Sequence, residues 1–147
     1  MNASVGGRAQ APWHLWAVGI VSLLWNAFGS YDYLMTVTHN ANWLASVPPA
    51  AMTIVDAFPV WAVAAWAIGV WVSLLGAVLL LIRSRHAGSA FLISLLGAVV
   101  SYAYQATTAL PAEMGGAMYW IMPAVIVVAI VLQWLYARRM TEGGVLR

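Results

Sequence analysis

The sequence lacks cysteine and lysine altogether, and only 7% of its 147 residues are charged. Without cysteine, the chain can form no disulfide, thiolate metal site or thiol nucleophile. Its six basic residues are all arginines, too few and too scattered for the basic surface of a nucleic-acid-binding protein. Soluble domains carry about 25% charged residues. This scarcity of charge excludes a water-soluble domain and indicates that lipid surrounds most of the chain.

Apolar residues, by contrast, make up 64% of the sequence. A helix needs roughly 20 apolar residues to cross a bilayer core of about 30 Å. Four stretches meet this requirement, and we predict membrane spans over residues 13–36, 60–82, 89–108 and 118–137. The first has no basic start and no small-residue cleavage site, so we expect a permanent span rather than a signal peptide. We therefore predict one all-α integral membrane domain over residues 1–147, folded as a transmembrane four-helix bundle.

The few charges are distributed unevenly between the two predicted membrane faces. Asp32, Asp56 and Glu113 fall on one face, and Glu142 is the only acidic residue on the other. That other face carries every arginine of the chain: Arg8, Arg83, Arg85, Arg138, Arg139 and Arg147. Because arginine-rich segments stay in the cytoplasm, we predict that both termini are cytoplasmic.

The longest predicted connection, between the first and second spans, lies on the outer face. It contains Pro48 and Pro49 followed by AAMTIVDAF, and Pro59 precedes the second span. Proline is favoured in the first turn of a helix. We therefore predict one short surface helix in this outer loop.

Small residues recur at helical spacing within the predicted spans. Such residues let membrane helices approach closely, and hydroxyl groups can bond across the contact. We predict that five of them pack helix against helix: Gly29, Gly69, Ser73, Gly76 and Gly97.

The first and third spans also carry polar stripes, which we expect to face the bundle interior. Asn26, Asp32 and Tyr33 share one side of the first span, and Tyr104 and Gln105 lie near the end of the third. A carboxylate within a membrane span is by default a functional candidate. We predict that these five residues surround an outward-facing polar cleft, which would suit a neutral or cationic small molecule better than an anion.

Each of the two strongest candidates has a plainer alternative. Asn26 could simply bond to another helix, with Ser101 or Gln105 as its partner. Asp32 lies near the predicted edge of the hydrocarbon, where its carboxylate could be a solvated or hydrogen-bonded cap. The deep tryptophans Trp25, Trp66 and Trp71 favour packing against lipid or a partner, with a flat pigment, quinone or sterol-like ligand as the alternative.

The sequence contains no pattern typical of a metal centre or an enzyme. His14, His39 and His86 lie at span ends, and no two histidines have metal-ligand spacing. No Ser–His–Asp set can be placed within reach, and no glycine-rich phosphate loop is present. We predict no metal, no cofactor of its own and no catalytic residue.

The segments LWNAFGSYDYLMT, DAFPVW and LLLIR carry a resemblance to a known family. The chain resembles small four-span bacterial inner-membrane proteins that are usually uncharacterised and often labelled sugar-transporter-like. The resemblance covers most of the chain and implies a multi-pass protein of the bacterial inner membrane. The matching positions are Trp25, Asn26, Gly29, Tyr33, Pro59, Gly69, Gly76 and Arg83.

Two functions follow from these features. The first is binding or transport of a small neutral or cationic solute through the polar cleft. The second is an accessory or assembly subunit of a larger respiratory, photosynthetic or transport complex, because a small bundle with short loops suits lateral docking. The expected partner is the lipid bilayer, together with a homo-oligomer or a larger membrane complex, and no nucleic acid.

Overall fold

The computed structural model describes residues 9–111 and 114–147, and within these residues the chain is helical and has no strand. Four helices are long and two are short. Their bounds are α1 Trp13–Val37, α2 Ala41–Leu44, α3 Pro49–Asp56, α4 Val60–Leu81, α5 Ala87–Thr107 and α6 Ala117–Glu142. The last helix continues five residues past the predicted end of the fourth span. Arg8 and Glu113, which contributed to the predicted topology, lie outside the described residues.

Prolines begin three of these helices. Pro12 and Pro59 immediately precede α1 and α4, and Pro49 is the first residue of α3. The fixed φ of proline suits a helix start, where its missing N–H removes no intrahelical bond. Two non-glycine residues, His39 and Arg83, adopt left-handed backbone angles just after α1 and α4, with φ of 52° and 60°.

Three of the long helices, α4, α5 and α6, are long and apolar enough to cross a membrane. The chain is therefore a helical protein of membrane type. α1 is 25 residues long but less apolar, because polar residues such as Asn26, Ser30 and Asp32 interrupt it.

The long helices lie side by side in chain order, each antiparallel to the next. The closest helix pair is α4 with α5, where two glycines remove the side chains that would separate the backbones. A Cβ on Gly97 would lie 2.7 Å from the carbonyl oxygen of Ala65, and one on Gly69 would lie 3.3 Å from the nitrogen of Ala98. The hydroxyl of buried Ser94 donates to the carbonyl of Gly69 at 2.6 Å. Small residues thus allow direct backbone contact between these helices.

The other predicted packing residues differ in their surroundings. Gly76 lies against the ring of Phe91, at 2.9 Å from a Cβ placed on the glycine. Ser73 is buried, and its hydroxyl donates to Val70 of its own helix. The predicted role of Gly29 requires correction, because a Cβ there would meet nothing within 4 Å. No helix approaches α1 closely at Gly29. This glycine therefore leaves open space beside α1 and does not form a helix–helix contact.

The most densely packed part of the protein is the end that carries Arg83, Arg85 and Arg138, here called the arginine end. Its core contains Leu15, Leu80 and Phe91, all fully buried. These three side chains come from α1, α4 and α5, and fully buried Ala137 comes from α6, so this end joins all four long helices in a single core.

The segment before α1 and the segment after α6 both bind to the turn at the arginine end. The guanidinium of Arg83 donates to the carbonyl of Val145 at 3.1 Å and to that of Ala9 at 2.9 Å. The backbone N–H of Arg147 donates to the carbonyl of Arg83, and that of Arg85 donates to the carbonyl of Arg147, both at 2.8 Å. The turn after α4 is therefore held by residues that precede α1 and residues that follow α6.

Candidate functional site

The opposite end of the molecule, which carries Asp32 and Asp56 and is here called the aspartate end, is less densely packed. α1 is close to α4, and α6 is close to α5, but α1 and α6 are not among the closely packed pairs. A cavity of about 360 Å³ lies among the four long helices. This volume is within the range of small-molecule sites, roughly 300–1,000 Å³.

All four long helices contribute to the wall of this cavity. The lining residues are Trp25, Asn26, Phe28, Gly29 and Asp32 from α1; Trp66, Gly69, Val70 and Ser73 from α4; Ala98, Ser101 and Tyr102 from α5; and Met122, Ile126 and Ile130 from α6.

Asn26 bridges α1 and α6 at one side of the cavity. Its amide nitrogen donates to the side-chain oxygen of Gln133 at 2.7 Å, and both residues are buried. The partner differs from the sequence-based expectation, which was Ser101 or Gln105. At the depth of Asn26 the reachable amide belongs to α6, whereas Gln105 lies farther toward the aspartate end on α5. Asn26 therefore both lines the cavity and connects α1 to α6, which also meet nearer the arginine end through His14 and Tyr136.

Asp32 also lines the cavity, and it is half-buried. The indole N–H of Trp43, in the short helix α2, donates to a carboxylate oxygen of Asp32 at 2.9 Å. The Trp43 ring also packs against Tyr31 and Phe28, with ring centroids 5.2 and 6.1 Å apart. This contact holds α2 against α1 and fixes the carboxylate beside the cavity, so Asp32 is hydrogen-bonded to protein.

Aromatic side chains form much of the remaining wall, and Trp25, Trp66 and Tyr102 are the largest of them. Trp66 is supported by Tyr33, whose ring meets it edge-on at a centroid distance of 4.8 Å. Tyr33, one of the five predicted ligand-binding residues, thus contacts a cavity residue without lining the cavity itself. Its position makes it a support for the tryptophan.

The other two predicted ligand-binding residues lie away from the cavity. The hydroxyl of Tyr104 donates to the carbonyl of Ala57 at 3.3 Å, and its ring packs between Phe58 and Trp61. The amide nitrogen of Gln105 donates to the hydroxyl of Tyr119. The structure thus does not bring the five predicted residues together.

Helical geometry accounts for the separation. At 100° per residue, Tyr104 points about 110° away from the middle of the cavity-lining face of α5. Gln105 lies on that face but about 6 Å beyond Ser101 along the helix axis, where Tyr119 of α6 meets it.

Several cavity residues were not predicted as ligand contacts. Trp25 and Trp66 were noted, but lipid or partner packing was the favoured interpretation of both. Tyr102 follows Ser101, which belongs to the polar stripe of α5. That position beside the stripe could have indicated Tyr102 as a cavity residue. Nothing in the sequence indicated the α6 residues that line the cavity, because that helix has no stripe of polar or small residues.

The groups around the cavity can bind a small molecule in three ways. Asp32 offers a carboxylate, Trp25 and Trp66 offer aromatic rings, and Ser101 offers a hydroxyl. Within residues 9–111 and 114–147, no group of three metal-ligating side chains converges at one place. No protein-family model, curated protein or solved structure matches the chain.

Proposed function

We propose that this protein is an integral protein of the bacterial inner membrane that binds a small neutral or cationic solute in the cavity among α1, α4, α5 and α6. The observation that carries the proposal is the cavity itself, which combines a volume of about 360 Å³ with a half-buried carboxylate. Acidic side chains within membrane helices are rare and commonly mark a binding or transport site.

In this proposal α1 is the fourth membrane span. Its 25 residues extend about 37 Å, which exceeds the thickness of the hydrocarbon core. Contacts with α4 run along its length, from Gly19 against Leu81 to Tyr33 against Trp66. The polar residues that lower its hydropathy include Asn26 and Asp32, which line the cavity.

The proposed orientation has both termini and the arginine end in the cytoplasm. It rests on the location of the arginines, since Arg83, Arg85, Arg138 and Arg139 lie at the same end of the helices. The aspartate end, with the short helices α2 and α3, then lies on the outer surface. The cavity would receive its solute from that side, and transport would require the Asn26–Gln133 contact and the core beneath it to open.

A ligand-stabilisation screen on the purified protein tests whether the cavity is a binding site. The panel contains sugars, polyols and small organic cations, and the readout is the thermal unfolding temperature. We expect at least one compound to raise it, because binding to the folded state stabilises that state by about 2.7 kcal/mol at 100 times Kd.

Two leucine substitutions in α1 provide the controls. Gly29→Leu fills open space within the cavity wall and should abolish the ligand-induced rise. Ala27→Leu adds the same side chain at an exposed position outside the cavity and should retain it. If no compound stabilises the parent, or if Gly29→Leu responds as the parent does, binding in the cavity is contradicted. Co-purification with a stoichiometric partner would then support the accessory-subunit function.

A further inference from the structure

Asp32 differs from the other Asp and Glu side chains of residues 9–111 and 114–147 in having no basic side chain as its partner. Asp56 pairs with His39 at 2.9 Å, and Glu142 pairs with Arg138 at 2.8 Å. Asp32 accepts a hydrogen bond from a neutral indole, which brings no positive charge. A carboxylate next to hydrocarbon without a counter-charge is costly, and a bound cation would offset that cost.

The rings beside Asp32 are those that attract cations. Trp25, Trp66 and Tyr102 line the same cavity as the carboxylate. The face of an aromatic ring attracts a cation within about 6 Å of the ring centre, and tryptophan does so most strongly. A positive group in this cavity would therefore meet both a counter-ion and aromatic rings.

Some polar groups in the rest of the wall are already bonded within the protein. The amide nitrogen of Asn26 is used by Gln133, and the hydroxyl of Ser73 donates within its own helix. Ile126 and Ile130 of α6 provide apolar surface. The hydroxyls of Ser101 and Tyr102 would pair with some hydroxyl groups of a sugar, but those that faced Ile126 or Ile130 would lose their hydrogen bonds to water, which is unfavourable. An apolar body attached to a cation has no such groups.

We propose that the cavity binds an organic monocation, such as a quaternary ammonium group on an apolar body, with Asp32 as its counter-ion. This inference rests on the proposed function and narrows its solute from neutral or cationic to cationic. Trp43 is a positioning residue in this arrangement, because its hydrogen bond fixes the carboxylate beside the aromatic rings.

A pair of compounds that differ only in charge provides the test. Benzyltrimethylammonium and neopentylbenzene have nearly the same shape, with nitrogen in the first replaced by carbon in the second. Binding is measured by tryptophan fluorescence of the protein in lipid nanodiscs, with empty nanodiscs correcting for partition into lipid. We expect the cation to bind the parent at least about tenfold more tightly than its neutral counterpart.

Variants locate the origin of this preference. Asp32→Asn retains the shape and an oxygen that can accept from Trp43, so it should lose the tenfold preference while binding of neopentylbenzene changes little. Asp56→Asn removes the same charge from the aspartate end outside the cavity and should retain the preference.

Three outcomes would overturn the inference. They are equal affinity of the parent for the two compounds, a preference that survives in Asp32→Asn, and a preference lost equally in Asp56→Asn. The first does not depend on any variant folding correctly. In each of them, binding that Gly29→Leu abolishes would still support the cavity as a binding site. If no compound binds the parent, whether neutral or cationic, the proposed function itself is contradicted.

Discussion

The arginine end and the aspartate end of this protein are built from the same four long helices but differ in packing. At the arginine end, Leu15, Leu80 and Phe91 are fully buried, and Arg83 joins segments that are distant in sequence. At the aspartate end, a cavity of about 360 Å³ lies among the four long helices. The comparison suggests that one end supplies stability and that the other leaves room for a ligand.

Side-chain size also distinguishes the close α4–α5 contact from the side of the cavity between α1 and α6. Gly69 and Gly97 bring α4 and α5 into backbone contact. On the cavity side, α1 presents the large rings of Trp25 and Phe28, and α6 presents branched aliphatic side chains. Large side chains on both facing helices hold the backbones apart, whereas glycines allow them to meet.

The largest expected effect comes from adding one methyl group at the tightest contact. Gly97→Ala should lower the free energy of unfolding by about 1–3 kcal/mol, because its Cβ would lie 2.7 Å from the carbonyl oxygen of Ala65. Gly69→Ala, with 3.3 Å to backbone, should cost less. Gly29→Ala should cost nothing, since a Cβ there meets no atom within 4 Å. Denaturation followed by circular dichroism measures all three. Equal stability of the three variants would contradict the packing difference.

An effect of similar size is expected from Arg83→Gln, which removes a charged donor from the carbonyls of Ala9 and Val145. Hydrogen bonds to charged groups contribute about 1.5–3 kcal/mol, so we expect a loss of about 2 kcal/mol of unfolding free energy. The N–H of Arg147 should also exchange with deuterium faster. Arg85→Gln removes the same charge from an exposed side chain and should change neither measurement. Similar losses in the two variants would indicate an effect of net charge alone.

The smallest effect is expected where the two ends meet, at the hydrogen bond between Asn26 and Gln133. A double-mutant cycle with Asn26→Ala, Gln133→Ala and the combined variant should give a coupling energy of about 0.6 kcal/mol, the average for side-chain hydrogen bonds within membranes. Reversible unfolding in mixed micelles is the measurement. A coupling energy indistinguishable from zero would mean that the two amides do not pair in the membrane environment.

The positions of the helices could be predicted from the sequence to a large extent. Long apolar runs and prolines placed the starts of α1 and α4 at Trp13 and Val60, as in the structure. The end of α6 was less predictable, because that helix continues through Arg138 and Arg139 to Glu142. Arginine and glutamate favour helices, so the apolar run ends before the helix does. Membrane crossing by α1 remains a prediction.

The candidate site was only partly predictable. The polar stripe of α1 identified Asn26 and Asp32, because helical spacing determines which residues share a face. It could not indicate that Gln133 pairs with Asn26, since partners across helices depend on helix tilt and depth. Nor could it show that Trp43, in a four-residue helix outside the long ones, donates to Asp32. Such contacts arise only once the separate elements are assembled.

The backbone of Arg83 has a consequence for how the arginine end folds. Its left-handed φ of 60° costs a non-glycine residue of the order of 1 kcal/mol. In an isolated α4–α5 hairpin, only the backbone bonds from Arg83 to Leu80 and from Ser84 to Leu79 would offset that cost, because Ala9 and Val145 belong to segments outside it. The turn therefore gains further stability when the first and last segments dock. Folding of this end should accordingly be cooperative across nearly the whole length of the chain.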